Sequence, residues 1–157
     1  MLPLLRVNQT RLLGTCLGTL GVLACASPAD PDADRAAAQL AAVTRMAADI
    51  GRNPGPLEVM CVAYSGDWED PELPREDGEL SFAYADGCEE IDGQLFARAG
   101  SARAIWLGVG EPEMGLSSAV VPVFTSTGID DAASYRCAVA RRGSEWVAES
   151  CEMGAVG

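Results

Sequence analysis

From Leu12 to Cys25 the chain reads Leu-Leu-Gly-Thr-Cys-Leu-Gly-Thr-Leu-Gly-Val-Leu-Ala-Cys, uncharged throughout, with Arg6 and Arg11 ahead of it. An apolar run of roughly 13 residues behind basic ones has the form of a secretory h-region, and it falls short of the about 20 residues that a membrane span requires. The expected organisation is a signal peptide over residues 1–24 and an exported remainder that folds in an oxidising compartment, where thiols pair. About 132 residues then remain, enough for a single domain with a modest core.

The chain has six cysteines. Cys16 falls inside the leader and Cys25 at its end. Cys61, Cys88, Cys137 and Cys151 remain as an even set, expected to form two disulfides. No C-x-x-C spacing supports the rival reading of a redox or metal site. Three connectivities are open. A tight loop at Arg141-Arg142-Gly143, with Gly143 in the left-handed position, pairs Ala140 with Ser144 or Glu145 and sets Cys151 opposite Ala133 or Ser134. In that register Cys137 and Cys151 lie beyond the roughly 7 Å between α-carbons that a bridge tolerates. Each hairpin cysteine is therefore expected to reach Cys61 or Cys88.

Val22-Leu23-Ala24-Cys25 resembles the lipobox of bacterial lipoprotein precursors: two apolar residues, a small one, then the cysteine that is lipidated. The resemblance covers the leader alone. It implies cleavage before Cys25, a diacylglyceryl thioether on its sulfur, and a membrane as partner through that lipid anchor. Ala26 and Ser27 are not the Asp linked to inner-membrane retention, so in a Gram-negative cell the outer membrane is implied. The same letters hold Ala24-Cys25-Ala26, a small-x-small site whose cleavage would release a soluble, secreted or periplasmic product at Ser27. An uncleaved anchor is the third reading.

Charge and missing residue types exclude more than the residues present support. The basic residues are 11 Arg and no Lys, against 23 acids, for a net charge of −12; without Arg6 and Arg11 the remainder has nine Arg against the same 23 acids, a net charge of −14. Such a surface repels phosphate backbones, so no nucleic acid is expected as partner. With no His there is no Ser-His-Asp or Cys-His catalysis and no ordinary imidazole zinc site. With no Lys there is no P-loop, Ser-Lys dyad or Schiff base. No catalytic residue is assigned and no cofactor is expected.

Residues 25–34 read as the lipidated cysteine and a polar tether. Ser27 to Asp34, at full extension, spans at most about 26–29 Å. Its Asp-x-Asp-x-Asp lacks the glycine and twelfth-position Glu of a calcium loop, so its last Asp is expected to cap a helix. That helix runs from about Ala33 to Ile50, with Ala36, Leu40, Val43, Ala47 and Ile50 as its apolar stripe and Arg35, Gln39, Arg45 and Asp49 off it. Gly51 ends it and Pro54 prevents its return. Leu57 to Tyr64, continuously apolar after Glu58, reads as a strand covered on both faces. An acidic, proline-bearing loop follows, in which Trp68 is expected to fold back onto the core. Leu80 to Ala85 alternates as a one-faced strand. Residues 86–93 form an acidic cluster, in which Asp86, Glu89, Glu90 and Asp92 are weak calcium candidates, although no metal site is assigned. Arg103 to Val109 is a strand. Ala119 to Ser126 is another, with Pro122 implying a sheet edge or a bulge. Tyr135 to Arg141 and Glu145 to Ser150 form the C-terminal hairpin, and residues 153–157 a frayed tail.

The sum, over residues 35–152, is a single disulfide-stapled α+β domain: an N-terminal amphipathic helix packed on a curved, mostly antiparallel sheet of five or six strands. Its layout is similar to cystatin-like or NTF2-like folds. The functional expectation is a non-catalytic envelope or surface domain that binds a protein, cell-wall component or small ligand, or serves structurally. Two alternatives stand beside it: a calcium-dependent adhesion module, and a carboxylate-pair hydrolase whose first candidates are Glu89, Glu90 and Asp92.

Overall fold

The structure, a computed structural model, describes residues 30–53, 55–74, 80–128 and 131–156. The expected leader, Cys25 and the tether before Asp30 lie outside them. One α-helix, α1 (Pro31–Gly51), precedes nine strands among the described residues: β1 (Val59–Tyr64), β2 (Ser81–Tyr84), β3 (Cys88–Ile91), β4 (Gln94–Ala97), β5 (Ala104–Val109), β6 (Glu113–Met114), β7 (Ser118–Gly128), β8 (Asp131–Arg142) and β9 (Glu145–Val156). A single 3₁₀ turn, η1 (Ala85–Gly87), joins β2 to β3.

The helix begins earlier than its sequence suggests. Asp30, not Asp34, is the N-cap, its Oδ1 accepting from the amide of Asp32 at 3.0 Å. Pro31 follows in the first turn, where an N–H has no intrahelical partner to lose, and Asp32 and Asp34 lie towards the positive end of the dipole. Four residues assigned to the tether therefore belong to the helix. Its buried stripe also differs: Ala38, Gln39, Ala42, Val43 and Met46 are buried, while Ala36, Leu40, Ala47 and Ile50 are half-buried at the margins. Of the expected stripe only Val43 is fully interior, because a ranking by polarity puts Gln39 outside.

All nine strands share one mixed sheet. β1 runs parallel to both β2 and β5, β5 antiparallel to β7, and β7, β8 and β9 follow as an antiparallel run. A helix on a mostly antiparallel sheet holds as expected, with two pairings parallel and six antiparallel; a count of five or six strands does not. β2, β3, β4 and β6 have four residues or fewer, too few for alternation to register, and the parallel pairs come from crossovers that no local pattern encodes. Along one edge β7 meets β6, β5 and β4 in turn; along the other it pairs with β8. Pro122 sits inside β7, not at a sheet edge, and the register shift of β7 lies at Ser126/Gly128 instead. Its carbonyl accepts from Gly110 N at 2.8 Å, between the ladders of β6 and β5, so the N–H it lacks faces a gap and the pairing with β8 is unbroken.

Both faces of β1 are covered. Met60 and Val62 join Ile105, Leu107, Val121, Val123, Cys137, Val139 and Trp146 beneath α1. On the other side Val59, Cys61 and Ala104 meet Cys88 and Ala97, because the β3–β4 hairpin folds back over the sheet. That hairpin turns on Asp92 and Gly93, at φ 51° and 78°, the Asp-Gly pair of a type I′ turn.

Two disulfides form, as expected, but they pair Cys61 with Cys88 and Cys137 with Cys151. The expectation that the hairpin cysteines reach outwards was wrong on two counts. The β8–β9 turn is Gly143-Ser144, with Gly143 at φ 67° and Arg142 opposite Glu145. An extra residue on β9 then shifts the register between Ala138 and Val139, which sets Cys137 opposite Cys151 at 4.0 Å between α-carbons. The expected tail is also strand: β9 runs to Val156, opposite Ala133. Among the described residues no helix is long and apolar enough to cross a membrane.

Candidate functional site

The parallel strands β1 and β2 end at Tyr64 and Tyr84, with Tyr84 opposite Val62 and Tyr64 two residues beyond. Outside the carboxyl ends of parallel strands the chain has to leave the sheet, and recesses form there. Here the recess measures about 430 Å³ and is lined by Val62, Tyr64, Asp70, Tyr84, Ala85 and Asp86, with Ala63.

The loop after β1 is what shapes it. Gly66 adopts φ 143°, and a β-carbon there would lie 2.4 Å from the ring of Trp68, so only glycine allows the indole to fold back. Trp68 returns onto α1 as expected: its Nε1 donates to Gln39 Oε1 at 3.0 Å, and the Arg35 guanidinium stands 5.5 Å from its ring centre. Gln39, fully buried, donates through Nε2 to the carbonyls of Ser65 at 2.8 Å and Gly110 at 3.1 Å. One side chain thus ties the exits of β1 and β5 and the returning loop to the helix. Further on, the carbonyl of buried Pro71 accepts from Tyr84 Oη at 3.2 Å, which places Asp70 in the lining. Asp86 arrives from the other strand, through η1.

A second bracket lies further back along α1. Asp34 accepts from Trp146 Nε1 at 3.1 Å and from Arg141 Nη1 at 3.2 Å, with Arg141 5.8 Å from the Trp146 ring centre. Asp34, expected as a helix cap, instead joins the helix to the last hairpin.

The hydroxyl of Tyr64 is buried without a hydrogen-bond partner. Burial first, then the fields of Tyr84 and Asp70, push its pKa well above the ordinary tyrosine value of 10.0. Most carboxylates near arginine are engaged: Asp32 with Arg35, Asp34 with Arg141, Asp49 with Arg45 and Arg52, Glu113 with Arg136, Glu149 with Arg142. Asp70 and Asp86 have no arginine partner among the described residues. The recess therefore offers two phenol rings, two unpaired carboxylates and an unsatisfied hydroxyl, groups that can bind a ligand by charge and ring contact.

Tyr64→Phe tests the orphaned hydroxyl. Deleting an unsatisfied buried polar atom loses no hydrogen bond, so the variant is expected to be more stable by up to about 1 kcal/mol in urea unfolding. The sign with pH follows from the raised pKa: the native contribution is full below pH 10.0 and is lost as pH climbs from there through the raised value. Wild type should therefore weaken above pH 10 relative to Tyr64→Phe; parallel stability curves would refute the burial argument.

The four weak calcium candidates are dispersed. Asp86 lines the recess, Glu89 and Glu90 are neighbours on β3 and project from opposite faces, and Asp92 occupies the β3–β4 turn beside a wider hollow of about 750 Å³. Among the described residues no three His, Cys, Asp or Glu side chains converge on a point that could hold a metal ion. Cys61, Cys88, Cys137 and Cys151 are all consumed in bridges. Sequence reasoning missed Tyr64, Tyr84, Asp70 and Gln39. The available signal was that each tyrosine stands at or near the end of an apolar strand run, where parallel pairing would bring the two together.

Comparisons with protein-family models, curated proteins and solved structures find no match to this chain.

Proposed function

We propose that this chain is an exported lipoprotein, held to a bacterial membrane through Cys25, whose α+β domain is a non-catalytic binding module of the cell envelope or surface. The observation that carries the reading is the pair of disulfides, Cys61–Cys88 and Cys137–Cys151, with both Cys61 and Cys137 fully buried. Interior bridges of this kind persist where thiols are oxidised and are rare in the cytosol. The apolar, uncharged leader and its lipobox-like end supply the route out of the cell and the anchor. Binding, as opposed to chemistry, is the role the recess supports, since its groups can hold a ligand and include no activated nucleophile.

The test is intact-mass analysis of the protein purified from its own membranes without reductant. The expected species starts at Cys25, carries acyl mass on that residue, and loses four hydrogens' worth of mass to two bridges. A species starting at Ser27 would replace the anchored reading with a soluble one. A full-length product with four free thiols would overturn export altogether.

A further inference from the structure

We infer that the recess between Tyr64 and Tyr84 binds a guanidinium-bearing ligand. The inference rests on the binding-module reading above and names what that module takes. Its ground is a pattern this protein builds twice with its own arginines. Arg35 lies between the Trp68 ring and Asp32, with 2.8 Å to the carboxylate; Arg141 lies between the Trp146 ring and Asp34, with 3.2 Å to the carboxylate. In each, an aromatic face and an acid bracket one planar cation, which stacks and donates at once.

The recess has the same two kinds of wall and no cation among its described lining residues. Tyr84, 41% exposed and pinned through its hydroxyl to the Pro71 carbonyl, offers an aromatic ring. Asp70 and Asp86 reach the cavity from separate segments and lack arginine partners among the described residues. The volume of about 430 Å³ lies within the range of small-ligand pockets and has room for a guanidinium and the group that carries it. The chain's net charge of −12 adds a long-range field that draws cations and repels anions. A neutral ligand would gain no charge attraction from the two solvent-exposed carboxylates; an anion would be repelled by them. A guanidinium matches carboxylates through paired N–H donors, which a compact ammonium cannot do.

The experiment uses the full chain in detergent, bridges intact, titrated calorimetrically at low salt with argininamide and with citrullinamide, which keeps the α-amino group and replaces the guanidinium by a neutral urea. Argininamide is expected to bind, and citrullinamide to bind at least about tenfold more weakly, as loss of a charged partner implies. Asp70→Asn, Asp86→Asn and Tyr84→Leu should each weaken argininamide by about fivefold, while Glu89→Gln, an equal charge change on an exposed strand position, should leave the affinity unchanged. Each variant is first shown to melt cooperatively. Equal binding of the two amides overturns the assignment, as does a Glu89→Gln loss equal to that of Asp70→Asn, which would mean diffuse attraction by an acidic surface. Failure of argininamide to bind a chain whose mass shows acyl groups and both bridges overturns the ligand class and leaves the export reading intact. Normal argininamide binding by a chain with no acyl mass removes the anchor and leaves the cleft.

Discussion

The Gln39→Leu variant is expected to unfold about 3 kcal/mol more easily than wild type, in spite of adding apolar volume to an apolar core. Gln39 is fully buried and makes three hydrogen bonds: it donates to Ser65 O and Gly110 O and accepts from Trp68 Nε1. Leucine fills the space and leaves all three partners without it, at about 1 kcal/mol each. The loss should be concentrated where those partners are, so hydrogen exchange should accelerate first in residues 65–70 and in α1. Gln39→Glu separates polarity from hydrogen bonding. Its carboxylate can still accept from Trp68 but opposes the two carbonyls, so burial among acceptors raises its folded pKa. The stability it retains is then present below the unfolded glutamate pKa and lost as pH rises through the raised value. Urea unfolding across that range, referred to wild type, measures it. A Gln39→Leu protein as stable as wild type would show that the clamp is ornamental.

Opening the Cys61–Cys88 bridge should be the second large loss. Closing a 27-residue separation restrains the unfolded chain by about 3.5 kcal/mol, against about 3 kcal/mol for the 14 residues between Cys137 and Cys151. Native context widens the difference. β8 and β9 are twelve-residue strands paired along their length, so Cys137–Cys151 reinforces a ladder that already exists. The β3–β4 hairpin touches β7 through the single ladder pair Gln94–Gly128 and the segment just before β5 through an isolated bridge at Phe96–Arg103 and the hydrogen bond from Ala97 N to Ala102 O. Without its disulfide it is held over the sheet mainly by the small cluster around Val59, Ala97 and Ala104. The double variant Cys61→Ala/Cys88→Ala is expected to melt well below Cys137→Ala/Cys151→Ala, with amide exchange rising first over residues 88–97. The reverse order would mean that the hairpin is a strong layer without its staple.

What could be read from the letters was what local chemistry encodes. The helix shows in its run of alanines, though not in its Pro-Asp start, and β1 in a run of apolar residues that fits burial on both sides. The long strands β7, β8 and β9 show through alternation and a glycine turn. The errors share one cause. Gln39 was placed outside because its partners, Ser65, Trp68 and Gly110, lie 26, 29 and 71 residues away, and only their carbonyls and indole make an interior glutamine favourable. Asp34 was read as a cap because its true partners are more than a hundred residues distant. Cys137–Cys151 was set aside on a turn placed too early and a ladder without the extra residue at Glu149. A slip of that size is invisible to a period-two pattern. Asp92-Gly93 looked like part of an acidic cluster when its chemistry was that of a hairpin turn.

The recess was illegible for a related reason. Tyr64 and Tyr84 become neighbours only through parallel pairing of β1 with β2, and parallel pairing has no short turn to announce it. Asp70 and Asp86 stood in acid-rich stretches where nothing set them apart from nearby carboxylates. What sets them apart is that they line one recess from separate segments, a property of space and not of composition.

The bracket at Asp34 also bears on timing. Synthesis runs from the amino end, so the helix is made first, yet Trp146, which grips its opening turns, follows 112 residues later. Until that indole exists the opening turns of the helix lack their hold on the last hairpin, though β1 and β5 already offer its middle an apolar bed. The two ends of the helix's hold are thus made at different times: its middle can settle on β1, β5 and the loop that Gln39 clasps, while its first turns wait for the final hairpin.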